Sequence, residues 1–304
     1  MNEFGLIYKY FDWGMGIGDD CAVIDTDTQQ QLVTTVDTLI AGVHFPSQTS
    51  PADIAYKALA VNLSDLAAMG ATPYYFTLAL TLPTLDEEWL ERFSSALKAL
   101  ATEHNIQLIG GDTSKGALSI TINATGTIQN QILMRSGAEV GDGIFVSNTL
   151  GDAALAWQQI QQQQDPSAAL LKQFNRPQPQ IKLGQALSAI ANSCIDVSDG
   201  LQQDLSHILA RSKVGAGIDV NALPLADEVA QHIANTGDWC VALAGGDDYE
   251  LCFTVPALKT KALRSIERKL GIVLTKIGVI TYKQGLQIEG LDKTCQSFQH
   301  FYGK

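Results

Sequence analysis

The sequence predicts two α/β domains, and three observations carry that prediction. Its 304 residues exceed the usual size of a single hydrophobic core. β-rich runs and helical runs alternate in both halves, the pattern of layered sheet and helix. A polar, glycine-bearing stretch, RSGAEVGD at Arg135 to Asp142, separates the halves. Residues 1–137 therefore read as an N-terminal domain and 138–304 as a C-terminal one.

In the first half, Val33 to Val36 is a short β-rich run ending at Asp37, after a Gly16 to Asp20 segment with the glycines of a tight loop. A helix follows: Ser50 suits its cap, Pro51 its first turn, Asp53 completes a capping box, and Gly70 ends it. Lys57, Val61, Asp65 and Met69 recur along it at intervals of four. Asp65 thus lies on a largely apolar stripe, where an unpaired carboxylate is costly. Tyr74 to Leu82 reads as a strand and Asp86 to His104 as an amphipathic helix. Ile106 to Ile109 reads as a strand running into Gly110, Gly111 and Asp112, and Leu118 to Ile128 as another, giving β-α-β-α-β-β.

The second half opens with a strand at Ile144 to Ser147 and a helix near Asp152 to Gln164, whose glutamines form a solvated face. A helix through Lys182 to Ala191 leads to a strand at Cys194 to Val197. A helix capped by Asp199 runs to about Arg211, and another spans Asp227 to Ala234. Strand Tyr249 to Val255, helix Leu258 to Leu270 and strands at Ile277 to Ile280 and Leu286 to Ile288 complete the body.

Composition narrows the function. Twenty basic against 32 acidic residues give a net charge of -12, which disfavours nucleic acid as a partner, because backbone affinity comes from clustered Lys and Arg. Five cysteines lie far apart with no metal-binding spacing, and read as buried free thiols in a reducing cytosol. MNEFGLIYKYF lacks the build of a signal peptide. The uncharged run Leu66 to Leu85 is long enough to span a bilayer but is broken by Gly70, Pro73 and Pro83, so no membrane association is expected.

The chemistry lies in aspartates set in short, mostly glycine-flanked phrases: GIGDD (Asp20), TTVDT (Asp37), NLSDLAAMG (Asp65), GGDT (Asp112), IDVSDG (Asp196, Asp199) and GGDDYEL (Asp247, Asp248). Isolated carboxylates of this kind suit a hard cation such as Mg²⁺, held between protein oxygens and substrate phosphates. Singly, each has a plain alternative: GDD is a turn phrase, Asp199 a helix cap, His44 a packed histidine. Together, Asp37 and Asp112 at strand ends mark where open α/β sheets assemble sites. No P-loop, GxGxxG, HRD or DFG phrase occurs.

The ordered phrases GIGDDCAVI, VDTLIAGVHF, DIAYKALAVNLSDLAAMGATP, GGDTSKG, RSGAEVGD, IDVSDGLQQDL and GGDDYELCFTV closely resemble bacterial thiamine-monophosphate kinases, from the N-terminus to the last ten residues. Those enzymes belong to the ATP-binding group of aminoimidazole ribonucleotide synthetase and selenophosphate synthetase. The resemblance implies a two-domain fold of that group, with an α+β N-terminal domain whose sheet forms a β-barrel across a homodimer and a C-terminal α/β domain. It also implies ATP-dependent phosphorylation of thiamine monophosphate to thiamine diphosphate, in the cytoplasm.

By position, the resemblance makes Asp20, Thr35, Val36, Asp37, Asp65, Asp112, Asp196 and Asp199 ligands of several Mg²⁺ ions. Gly111, Asp112, Arg135 and Ser198 become contacts of ATP, and His44, Asp247 and Phe298 contacts of thiamine monophosphate. Asp112, Asp199 and Arg135 take the catalytic roles. Three positions depart from the family: Val36 for threonine, Asp247 for glutamate, and Gln180 for the arginine that ends the RPQPQ phrase. Val36 and Asp247 leave open a second reading, a protein that binds magnesium or nucleotide without turnover.

Overall fold

A computed structural model describes residues 3–10, 18–26, 30–291 and 295. The first half runs α1 (Glu3–Tyr10), β1 (Ala22–Asp25), β2 (Gln31–Ile40), α2 (Pro51–Ala68), β3 (Thr72–Leu82), α3 (Glu87–Glu103), β4 (Gln107–Lys115) and β5 (Ser119–Thr127). Its five strands form one sheet in the order β1-β2-β5-β3-β4, open at both edges within the single chain.

The second half runs β6 (Gly143–Ser147), α4 (Asp152–Gln161), α5 (Ala168–Asn175), α6 (Ile181–Leu187), β7 (Ser193–Asp196), α7 (Leu201–Ser212), β8 (Gly215–Asp219), α8 (Asp227–Thr236) and α9 (Cys240–Leu243). It closes with β9 (Leu251–Val255), α10 (Leu263–Leu270), β10 (Leu274–Thr281) and β11 (Gly285–Glu289). Its sheet has six strands in the order β11-β8-β10-β6-β9-β7.

Helix α2 positions the site. Ser50 caps it as the sequence predicts, accepting from the Asp53 amide at 3.1 Å, with Pro51 at the first position. Its composition is apolar almost all round because it is buried almost all round. One side lies on β2, β3 and β5, while α3, α5, α6 and β7 take the rest, so α2 joins the two halves. A Cβ on Gly184 of α6 would sit 1.9 Å from the Ala67 carbonyl oxygen of α2, and only glycine permits that approach. Gly184→Ala should therefore cost about 1–3 kcal/mol, as overpacking does. A thermal melt checks this, and an unchanged melting temperature contradicts so close a contact.

Several expectations are corrected. Asp37 and Asp112 were expected to end strands, yet β2 continues to Ile40 and β4 runs through Gly110, Gly111 and Asp112 to Lys115. The paired glycines do not break β4 because it is an exposed edge strand with little side-chain packing to lose. Asp199 does not cap α7: Gly200 occupies that position, and no side chain caps it there. Elements α1, β1, α5, β8 and α9 were not anticipated, β8 because GAGID reads as turn. The expectation of five free thiols fails for one pair, since Cys240 and Cys295, 55 residues apart, form a disulfide. Cys21, Cys194 and Cys252 are free and buried.

Candidate active site

Two neighbouring residues of α2 reach opposite halves of the molecule. Thr35 of β2 donates its hydroxyl to Asp65 at 2.5 Å, while Ser64 donates to Asp196, the last residue of β7, at 2.7 Å. Asp20, from the loop before β1, completes the group: one carboxylate oxygen from each of Asp20, Asp65 and Asp196 lies within 4.8 Å of the others. Asp37 is hydrogen-bonded to Asp65 and feels the charges of Asp199 and Asp20.

The cluster is electrostatically unfavourable as bare protein. Burial, and then the neighbouring carboxylates, push Asp65 and Asp196 well above the usual carboxylate range. Burial carries Asp37 up to about 6. The Oδ2 atom of Asp20 is buried and has no hydrogen-bond partner among the described residues. A hard divalent cation coordinated by these oxygens would relieve both the repulsion and the orphaned acceptor, so the residues present fit Mg²⁺.

This has a measurable consequence in metal-free protein. Between pH 4 and 6 the folded state retains a proton on Asp37 that the unfolded chain has released, so this group's contribution to stability falls as pH rises. Asp37→Asn should therefore gain stability relative to the parent chain across that window, and saturating Mg²⁺ should reverse the order. Melts of both proteins with and without metal check it, and a gap independent of pH contradicts it.

Arg135 fastens the entrance loop. Its amide donates to Asp19 Oδ1 at 2.8 Å and its Nη2 to Asp20 Oδ1 at 2.6 Å. Burial acts against the guanidinium charge, but the Asp20 carboxylate outweighs it and holds the proton more tightly than usual. Asp204, on the first turn of α7, accepts from the amides of both Ser198 and Asp199 at 3.1 Å. It thereby shapes the loop that presents Asp199. Gln203 then donates to Asp199 Oδ2 at 2.8 Å.

The GGDDYEL loop packs against this one. Asp247 and Tyr249 donate their amides to the Ser198 and Val197 carbonyls, each at 2.8 Å. Gly246 has a φ of 69° and a would-be Cβ 2.4 Å from the Ser198 oxygen, so a side chain there is excluded on both counts. Asp247 and Tyr249 also adopt positive φ, of 64° and 51°, a conformation that side-chain-bearing residues rarely hold without cause. Beside these loops is a cavity of about 470 Å³, whose lining includes Asp37, Ser198, Asp199, His44, Trp157 and Asp247.

Comparison with known proteins follows this geometry. Residues 18–128 match the family described as AIR synthase related protein, N-terminal domain, and residues 139–290 match its C-terminal domain. A thiamine-monophosphate kinase of Escherichia coli strain K12 is 48% identical over 303 residues, covering 95% of this chain and 92% of that protein. The chain belongs to the thiamine-monophosphate kinase family. A crystal structure of a thiamine-monophosphate kinase from Stenotrophomonas maltophilia K279a superposes with a TM-score of 0.83 at 46% identity, over 91% of each chain. A structure of AaThiL complexed with AMPPCP and TMP gives a TM-score of 0.87 at 30% identity, over 99% of this chain and 97% of that one.

Within this thiamine-monophosphate kinase fold, most of the residues singled out from sequence come together. Asp20, Thr35, Asp37, Asp65, Asp196, Asp199, Arg135 and Ser198 lie at or beside the cluster. Val36 also lines the cavity, but it is 59% exposed and strand alternation turns its side chain to the other face of β2 from Asp37. His44 and Asp247 line the cavity, and His44 Nδ1 also accepts from the Ile40 amide at 2.9 Å. Gly111 and Asp112 do not join the cluster within one chain. Three strand spacings separate β4 from β2, about 14 Å. Phe298 lies outside the described residues.

Gln180 is away from this site and buried beside Glu250, to which it donates at 3.4 Å. Burial pushes that carboxyl up to about 8, against hydrogen bonds from Ser147, Asn148 and Gln180 that favour its charged form. Sequence reasoning missed Asp204, Ser64 and Asp19. For Asp204 the signal was an acidic residue in the first turn of a predicted helix, just after the IDVSDG phrase.

Proposed function

We propose that this chain transfers the γ-phosphoryl group of ATP directly to thiamine monophosphate, giving thiamine diphosphate. The observation that carries the reading is a three-carboxylate cluster next to a cavity lined by Asp37 and Asp199 together with the aromatic side chains of Trp157 and Phe174. The acceptor is a phosphate, already anionic at neutral pH, so no general base is required. What the protein must supply is alignment of two polyanions and relief of their repulsion. Mg²⁺, when bound by Asp20, Asp37, Asp65, Asp196 and Asp199, supplies that relief. Arg135, fixed through Asp19 and Asp20, adds a positive charge at the same edge. Asp204 holds the Ser198–Asp199 loop in place, and His44 and Asp247 face the acceptor.

Asp112 and Gly111 enter this proposal through a second copy of the chain. β4 is exposed along its whole length and presents Leu108 and Ile109 to solvent, while Tyr74 leaves a further apolar group uncovered on the same sheet. A homodimer whose two open sheets close into a barrel would cover these groups. It would also carry Gly111 and Asp112 of one copy to the cluster of the other, bridging the distance that separates them within a single chain. The same reading divides the chain near residue 137 and places it in the cytoplasm. In that compartment the Cys240–Cys295 pair would be held mostly as thiols.

Incubation with Mg-ATP and either thiamine monophosphate or free thiamine, followed by chromatography, tests the activity. Thiamine diphosphate from the monophosphate alone is expected. Nucleotide binding without product from either acceptor would favour the non-catalytic reading that Asp247 leaves open.

A further inference from the structure

Lys57 occupies an unusual place for a lysine. It is on α2, two turns before Asp65, with its side chain only 2% exposed. Its ammonium has three partners, one from each segment that meets there. Nζ lies 2.7 Å from Asp247 Oδ2, 3.4 Å from the His44 carbonyl oxygen, and 3.9 Å from the centre of the Phe174 ring. Phe174 in turn stacks on Trp157, with ring centres 5.7 Å apart and planes 18° from parallel. His44, Asp247, Phe174 and Trp157 all line the cavity that also reaches Asp37 and Asp199.

We propose that Trp157 is the aromatic surface on which the acceptor's ring system lies, and that Lys57 is a positioning residue that fixes Asp247 and Phe174 behind it. The inference rests on the kinase reading and deepens it by assigning the ring-binding wall. Thiamine's thiazolium is a flat cation, and a tryptophan face beside a carboxylate is the surface that such a ring prefers. Lys57 is too buried, and too fully engaged, to meet the substrate's phosphate itself. Its placement instead fixes the direction of the Asp247 side chain. Asp247 is 29% exposed at the cavity wall, and a short carboxylate on a positive-φ backbone needs a fixed partner to hold one direction. The ammonium gives it one, and the Phe174 ring shields the pair from water. Helix α2 then sets the distance between ring and metal ends of the site: Lys57 and Asp65 are eight residues apart, about 12 Å along the axis at 1.5 Å per residue.

The test uses the full chain and two readouts. In steady state, Trp157→Ala and Lys57→Met should each raise KM for thiamine monophosphate about tenfold, the size of one cation–aromatic or ion-pair contact, with KM for ATP unchanged. Lys57→Met in an Asp247→Asn background should add little, because both changes break one pair. In binding, thiamine monophosphate should quench tryptophan fluorescence in the parent chain, and Trp157→Phe should remove most of the quench. Should Lys57→Met fail to fold, the Trp157 variants and Lys57→Arg carry the test, the arginine restoring part of the acceptor affinity. Product formation by the parent chain judges the kinase reading separately. If the parent chain is active while these variants leave acceptor KM unaltered, shift both KM values together, or leave the quench intact, the ring wall is wrong.

Discussion

Asp65→Asn is expected to reduce thiamine diphosphate formation by a factor of about 10³, the scale of removing one preorganised charge from a reacting centre. The same change should make the metal-free protein more stable. Asp65 is partly buried, close to Asp20, Asp37 and Asp196, and accepts from Thr35, a bond that an amide oxygen also accepts. The substitution thus removes a repelling charge while keeping shape and hydrogen bond. In a chain of this size each kcal/mol relieved raises the melting temperature by about 2–4 °C. Activity and stability therefore move in opposite directions, as at other sites where strain is retained for function. Melting temperatures without metal, beside turnover with it, check both halves. A variant less stable than its parent without metal would mean that the carboxylates are structural.

The second large effect concerns Asp112. Asp112→Asn should also lower turnover by orders of magnitude, although Asp112 lies on an exposed strand about 14 Å from the strand that carries Asp37. If a partner copy receives it, the Asp65→Asn and Asp112→Asn chains are inactive alone but complement each other when co-expressed. A mixed dimer then has one intact site and one doubly altered site. With random pairing half the dimers are mixed, so the population should regain about a quarter of the parent activity. No regain would place Asp112 outside the partner's site, whatever the oligomeric state.

Much of this arrangement was legible in the sequence because its signals are local. Ser50, Pro51 and Asp53 mark the start of α2 through backbone chemistry that needs no tertiary partner. An aspartate on that helix's apolar stripe announced a buried charge in need of partners. The signals that failed depend on distant residues. Gly110 and Gly111 read as the end of the strand that begins at Ile106, and only an edge position in the sheet lets β4 pass through them. Asp199 reads as a helix cap, but Asp204 takes the loop amides and leaves Asp199 to the site. Lys57 showed its spacing to Asp65 in the sequence, yet its partner Asp247 is 190 residues away and nothing local points to it. Likewise the Cys240–Cys295 pairing joins positions 55 residues apart, and nothing local announces it.

The central claim is direct phosphoryl transfer between two anions at a carboxylate-bound cation site. It is tested most directly by following the γ-phosphate of labelled ATP in the presence of thiamine monophosphate while Mg²⁺ is titrated. The account predicts label in the terminal phosphate of thiamine diphosphate, absent without metal and lost in Asp65→Asn. Label released as inorganic phosphate, or transfer that persists without metal or in that variant, would contradict it.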